Sequence, residues 1–280
     1  MQTCLHRAQP LLGLAIVTPL LTILSAQAQY ADRVTQYTPG TDATAGYTQA
    51  SSSLGEPSRI TPGEYGGPVD PFNPAYLDTQ LVSLGAGGSL TVEFLRPVAN
   101  HAGSSDFLIF GGAGFVITNA YDADFNVIGK PATDGSLFGD QTGTSRVSVS
   151  TDGINYFTLN PKKAPSVEGL FPTDGQGDFT RPVPISPISY ADFAGLTLEG
   201  IRSAYAGSGG GSAYDLAWAQ DNQGAAVELD SIRFVRVDIL SGHAEIDAFS
   251  VIQVPEPTSW MLAITGLTAG WTLWSPRRRS

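Results

Sequence analysis

From Ser89 to Ile252 the sequence is broken by turn residues too often for a helical protein. Its apolar residues recur at strand spacing. In Ser89-Leu-Thr-Val-Glu-Phe94, Leu90, Val92 and Phe94 share one face of an extended strand, and Thr91 and Glu93 share the other. Phe107-Leu-Ile-Phe110 is a continuous apolar run stopped by Gly111-Gly112, the pattern of a buried central strand. Phe115–Ala120 continues the pattern, and Asn119–Gly129 reads as a hairpin. Arg146–Ser150 and Ile154–Leu159 flank Thr151-Asp-Gly153, where Asp-Gly is a hairpin turn signal. Ser231–Leu240 and Ile246–Ile252 read as two closing strands joined at Ser241-Gly242. One helix is predicted within Ala191–Ala206, where Leu198, Ile201 and Tyr205 have helical spacing and Gly207 suits a C-terminal cap. The 32 glycines and 19 prolines supply many turns and long loops. The pattern predicts a mostly β fold, an antiparallel β-sandwich of jelly-roll type with long loops and one short helix.

Both ends differ from this body. Leu11–Leu24 is apolar apart from Thr18, Pro19 and Thr22, follows His6 and Arg7, and leads to Ala26-Gln27-Ala28. This reads as a signal peptide spanning 1–28, cut after Ala28 by signal peptidase on the Sec pathway. At the other end Val254-Pro-Glu-Pro257 precedes 18 uncharged residues, Thr258–Ser275, and then Arg277, Arg278 and Arg279. As a helix those residues span roughly 27 Å, close to a bilayer's hydrocarbon core. Trp260 stands near one end, and Trp271 and Trp274 near the other, as interfacial aromatics do; the arginines favour the cytoplasmic side and put the body outside. Pro255 and Pro257 keep the motif extended and open to an enzyme. A plain C-terminal anchor behind a proline-rich stalk has the same physics.

The order Val-Pro-Glu-Pro, short apolar helix, arginine cluster over 254–280 resembles the PEP-CTERM sorting signal of Gram-negative surface proteins. The resemblance implies recognition by an exosortase, a membrane-embedded transpeptidase that removes the helix and releases or re-attaches the body. It also implies a host that makes exopolysaccharide. Removable C-terminal signals share this logic, since the mature protein keeps no transmembrane helix. Thr265, Thr268 and Thr272 make this helix less apolar than many.

Removing both signals leaves an extracellular domain, 29–253, of 225 residues. The chain's formal charge is −11; without Arg7, Glu256 and the three tail arginines, 25 acidic and 11 basic residues remain, about −14. That argues against nucleic acid as a partner, which needs a basic footprint. It also argues against binding acidic polysaccharide by charge alone, unless divalent cations bridge the two. The one cysteine, Cys4, leaves with the signal peptide, so stability rests on the core, with or without a metal ion. The Pro-, Gly- and Ser-rich segment Tyr30–Gln80 carries Tyr37, Tyr47, Tyr65, Phe72 and Tyr76, too many aromatics for disorder. It reads as an ordered, looping segment packed over the sandwich.

Five blocks resemble, in order, those of bacterial surface domains related to galactose-binding, discoidin-like sandwiches. They are Val82–Phe94, Asp106–Phe110, Val147–Phe157, Tyr214–Ala217 and Glu245–Phe249. The resemblance implies a binding module rather than an enzyme, with a structural calcium in many members. Asp106, Asp215 and Asp247, which precede or enter strands in these blocks, are the candidate Ca2+ ligands if they converge at one end. Asp247 alternates with Ile246 and Ala248, so an exposed position is its alternative. Asp122-x-Asp124-x-Asn126 starts like a calcium loop but has Val127 for the sixth-position glycine and Thr133 for the twelfth-position glutamate, so it reads as a hairpin turn. Tyr205, Tyr214 and Trp218 flank the loop Gly207–Gly211; they are candidates for stacking on a sugar, against the more ordinary reading that they pack the core.

Catalytic patterns are thin. The body has two histidines, His101 and His243, no cysteine, no H-E-x-x-H and no G-x-S-x-G. The expectation is a non-catalytic, exported surface or matrix protein associated with exopolysaccharide. A polysaccharide-modifying enzyme on a jelly roll and a purely structural surface protein are the alternatives.

Overall fold

The structure is a computed structural model that describes residues 28–64, 66–138, 143–184 and 189–253. Ala26, the motif Val254-Pro255-Glu256-Pro257, the apolar segment and Arg277–Arg279 lie outside the described residues, and Ala28 is the first residue inside them. No helix among the described residues is long and apolar enough to cross a membrane.

Strand β1 (Arg33–Thr38) leads through a 3-10 turn at Ala50–Ser53 to the two-residue partners β2 (Ile60–Thr61) and β3 (Gly67–Pro68). Strands β4 (Val82–Gly85), β5 (Ser89–Ala99) and β6 (Phe107–Gly111) follow, then the small pair β7 (Gly114–Phe115) and β8 (Leu137–Phe138). After β9 (Thr144–Ser150) and β10 (Phe157–Leu159), a long excursion ends in the helix α1 (Leu198–Tyr205). Strands β11 (Ser212–Tyr214), β12 (Ala219–Gln220), β13 (Ser231–Ser241) and β14 (His243–Val251) complete the order.

The long strands form two antiparallel sheets. One runs β1-β5-β13-β9-β10-β12 and the other β11-β6-β14-β4. Counting β4, β5, β6, β9, β10, β11, β13 and β14 as one to eight, the sheets contain 2-7-4-5 and 6-3-8-1. Side chains from both sheets form one core: Leu90, Val92, Phe94, Val147, Val149, Val235 and Val237 pack with Val82, Leu84, Phe107, Ile109, Ile246 and Phe249. Each such side chain contributes about 1.5–3 kcal/mol when fully buried. The alternation in β5 therefore decides which face looks inward, as its sequence predicts. β6 lies between β11 and β14 and is buried throughout, which accounts for its unbroken apolar run.

Three details depart from the sequence reading. The segment Tyr30–Gln80 is ordered, but it also supplies an edge strand, β1, paired to β5 with an irregular register at Val34/Gln36. The turn between β9 and β10 is longer than a two-residue Asp-Gly turn. The Asp152 carboxylate accepts the Ile154 and Asn155 amides at 2.9 and 2.8 Å, and Gly153 takes φ +75°. Helix α1 ends on Ala206 in the left-handed region, φ 51°, one residue before the expected Gly207. Its buried Ile201 and Tyr205 seat it on a second aromatic cluster with Phe115, Phe171 and Phe193.

Candidate functional site

One cleft of about 1140 Å³ opens beside the edge strand β11. Its floor includes Gly211, Ala213 and Phe171; Tyr190 and Trp218 contribute rings, Ser105, Ser136 and Ser166 hydroxyl groups, and Lys162 and Lys163 basic groups at the rim. The chain positions each of these locally. Trp218 ends the 3-10 turn Leu216–Trp218, which Asp215 caps by accepting the Ala217 amide at 2.8 Å. The Trp218 carbonyl then accepts the Asn160 amide at 2.8 Å, which ties that turn to the lysine loop. Within that loop the Asn160 side chain accepts the Lys162 amide at 3.0 Å. Phe171 is pinned to β11 by two bonds: its amide donates to Ser212 Oγ at 3.2 Å and its carbonyl accepts the Gly211 amide at 3.0 Å. Tyr190 packs edge-on against Phe171, centroids 5.3 Å apart, and its burial pushes the phenol up to about 12. The phenol therefore stays a neutral hydrogen-bonding group at physiological pH.

Rings, hydroxyls and two ammonium groups in a half-open trough suit an uncharged or acidic saccharide. The described residues lining the cleft include no Asp, Glu, His or Cys.

The structure separates the three candidate aromatic residues. Trp218 is half-buried and lines the cleft. Tyr205 and Tyr214 are fully buried and present no ring to solvent. Tyr205 donates to the Pro172 carbonyl at 2.7 Å inside the helix-seating cluster. Tyr214 stacks on Phe107, centroids 5.2 Å apart, and donates to the Pro165 carbonyl at 3.1 Å. They are core residues because strand β11 and helix α1 turn them inward, which corrects the stacking expectation for both.

The three aspartates serve separate local roles. Among the described residues, no three Asp, Glu, His or Cys side chains gather as a metal site. Asp106 is completely buried at the start of β6. It accepts the His101 and Leu216 amides at 2.7 and 2.8 Å and lies 3.2 Å from His101 Nδ1. Burial raises its pKa, against the lowering effect of these bonds. Asp215 caps the Trp218 turn. Asp247 lies toward the opposite end of β6, where Ile246 pairs with Gly111 while Val251 pairs with Phe107. It sits at an irregularity between Ile246 and Ala248 and is buried rather than exposed, accepting the Ser58 amide at 2.8 Å and the Ser58 hydroxyl at 3.0 Å. The Asp122 carboxylate is likewise taken up inside its hairpin, by the Asp124 and Asn126 amides at 2.9 and 2.8 Å.

The sequence reading missed Tyr190, Phe171 and the lysine pair. Lys162-Lys163 is the one adjacent basic pair in the body, a signal that was present in the sequence. Tyr190 and Phe171 carry no such mark, because folding alone brings them to the cleft.

No family model matches this chain, and no curated protein matches it.

Proposed function

We propose that this chain is an exported, non-catalytic surface or matrix protein whose body binds exopolysaccharide. In this reading, signal peptidase removes residues 1–28, the C-terminal helix holds the chain at the inner membrane, and an exosortase acts at Val254-Pro-Glu-Pro257. The body is then released or attached at the surface of a Gram-negative cell. The sandwich is of jelly-roll type, a reading supported by the strand orders 2-7-4-5 and 6-3-8-1, in which successive strands alternate between sheets except for the fourth and fifth.

The observation that carries the reading is the cleft, with Trp218 and Tyr190 beside serine hydroxyls and two lysines. Saccharides are held by ring stacking and by hydrogen bonds to hydroxyls, and this cleft offers both. Trp218 is the only tryptophan between Gln29 and Gln253, so its fluorescence reports on the cleft. Residues 29–253 titrated with the host's exopolysaccharide are expected to show saturable quenching and co-sedimentation. Trp218→Ala is expected to weaken co-sedimentation by roughly five- to thirtyfold, in line with about 1–2 kcal/mol for one aromatic contact. Equal binding by the variant would remove the cleft from the mechanism.

A further inference from the structure

The outward face of the six-stranded sheet carries charge of the opposite sign to the rest of the body. Strand register puts Arg33 beside Glu93 on β1 and β5, and Asp238 beside Arg146 on β13 and β9. Arg236 aligns with Thr91 on one side and Ser148 on the other. The register irregularity at Ile232/Phe234 brings Arg233 to the same carboxylate as Arg33. Each of the two carboxylates is therefore shared by two arginines. Glu93 meets Arg33 at 3.2 Å and Arg233 at 2.7 Å; Asp238 meets Arg146 at 3.2 Å and Arg236 at 2.8 Å.

In these two clusters four arginines stand against two carboxylates, a local +2 on a body of about −14. It holds four of the body's eleven basic residues. Ion pairing for stability needs only one cation per carboxylate. The arginine bonds here run through Nε and Nη2, and Nη1 of all four makes no hydrogen bond to the described residues. Strand register aligns a row of residues across all six strands, Gln36, Thr91, Arg236, Ser148, Thr158 and Gln220, in which Thr91 and Ser148 are buried and Gln36 and Arg236 reach the surface. At about 4.8 Å per strand that row is about 24 Å long.

We propose that this face docks an acidic polysaccharide, a linear glycan bearing carboxylates, laid across the exposed arginines that top Glu93 and Asp238. Guanidinium groups match carboxylates in geometry, and the clamps on Glu93 and Asp238 hold them in place before the ligand arrives. The acidic remainder of the body repels a polyanion and so steers it onto this one face. The inference rests on the glycan-binding reading above but uses a different surface. It revises the expectation from net charge, because the charge is segregated rather than spread.

The test titrates the purified full chain, with chelator present, with polygalacturonate (a polyuronate), dextran (a neutral glucan) and duplex DNA. Polygalacturonate is expected to bind and to weaken steadily through a salt series, while dextran does not share that dependence. The paired substitution Arg33→Gln with Arg146→Gln removes the two most exposed arginines, 59% and 47%, and leaves each carboxylate one partner. It is expected to weaken polygalacturonate binding about tenfold, from two exposed ion pairs. The Arg→Lys pair, which keeps the charge, checks folding and should lose less. Unchanged binding in the Gln pair, no binding of polygalacturonate under these chelating conditions, or equal affinity for DNA would each overturn the proposal. Loss in Trp218→Ala with an unaffected Gln pair would sink the face and keep the cleft; the reverse would sink the cleft and keep the face.

Discussion

Asp247 is the residue whose ionisation bears most directly on stability. It is buried under Ser58, and burial raises its carboxyl from 3.8 to about 7 against the two Ser58 bonds. The folded chain thus keeps a proton that the unfolded chain releases near 3.8. Its contribution to stability is complete below about pH 4 and is lost as pH rises through 7. At about 1.4 kcal/mol per pH unit, this amounts to roughly 4 kcal/mol at most. Asp247→Asn, a neutral isostere able to bond Ser58, should escape the loss. Its melting temperature relative to the parent is expected to rise between pH 4 and 8 by several degrees, at about 2–4 °C per kcal/mol for a body of this size. Parallel melting curves across that range would refute the assignment. The sequence showed a carboxylate in a strand, but not that Ser58, 189 positions away, would cover it. The same limit hid the burial of Tyr205 and Tyr214: side-chain type and spacing gave the face of a local element, and only the long-range packing gave what lay against it.

At the scale of elements, legibility followed regularity. β5, β6, β9, β13 and β14 were readable because burial imposes a period of two or an unbroken apolar run. β1 was not, since its Arg33-Val-Thr-Gln-Tyr-Thr38 lies on an edge, mostly exposed, with an irregular register. β11 and β12 were hidden by their length of three and two residues. Helix α1 was read correctly on its apolar face and one residue wrong at its cap. Ala206 occupies the left-handed region at φ 51°, which costs an L-residue with a Cβ about 1 kcal/mol relative to glycine. Ala206→Gly should therefore stabilise the body by roughly 0.5–1 kcal/mol, raising its denaturation midpoint with an unchanged slope. A lower midpoint would mean that the Ala206 methyl group makes contacts that outweigh its backbone strain.

For the whole molecule, charge distribution and terminal signals belong to one argument. A body of about −14 resists aggregation, and in the proposed function the arginine face and the lysines of the cleft supply the local attraction for a glycan. In the proposed function the chain reaches the matrix only if its C-terminal apolar segment is removed, and the proposed cut depends on Pro255 and Pro257 disfavouring helix before that segment. In the native host, Pro255→Ala with Pro257→Ala should leave the apolar segment and its arginines attached. The uncut chain would then stay with the inner-membrane fraction and be heavier than the parent by the tail, with an unchanged N-terminus at Gln29. Changing Arg277–Arg279 to glutamine should weaken orientation rather than the motif, so a mixture of cut and uncut chains is expected. If the proline variant is processed and exported like the parent, with the same intact mass, the segment is not a sorting signal of this kind.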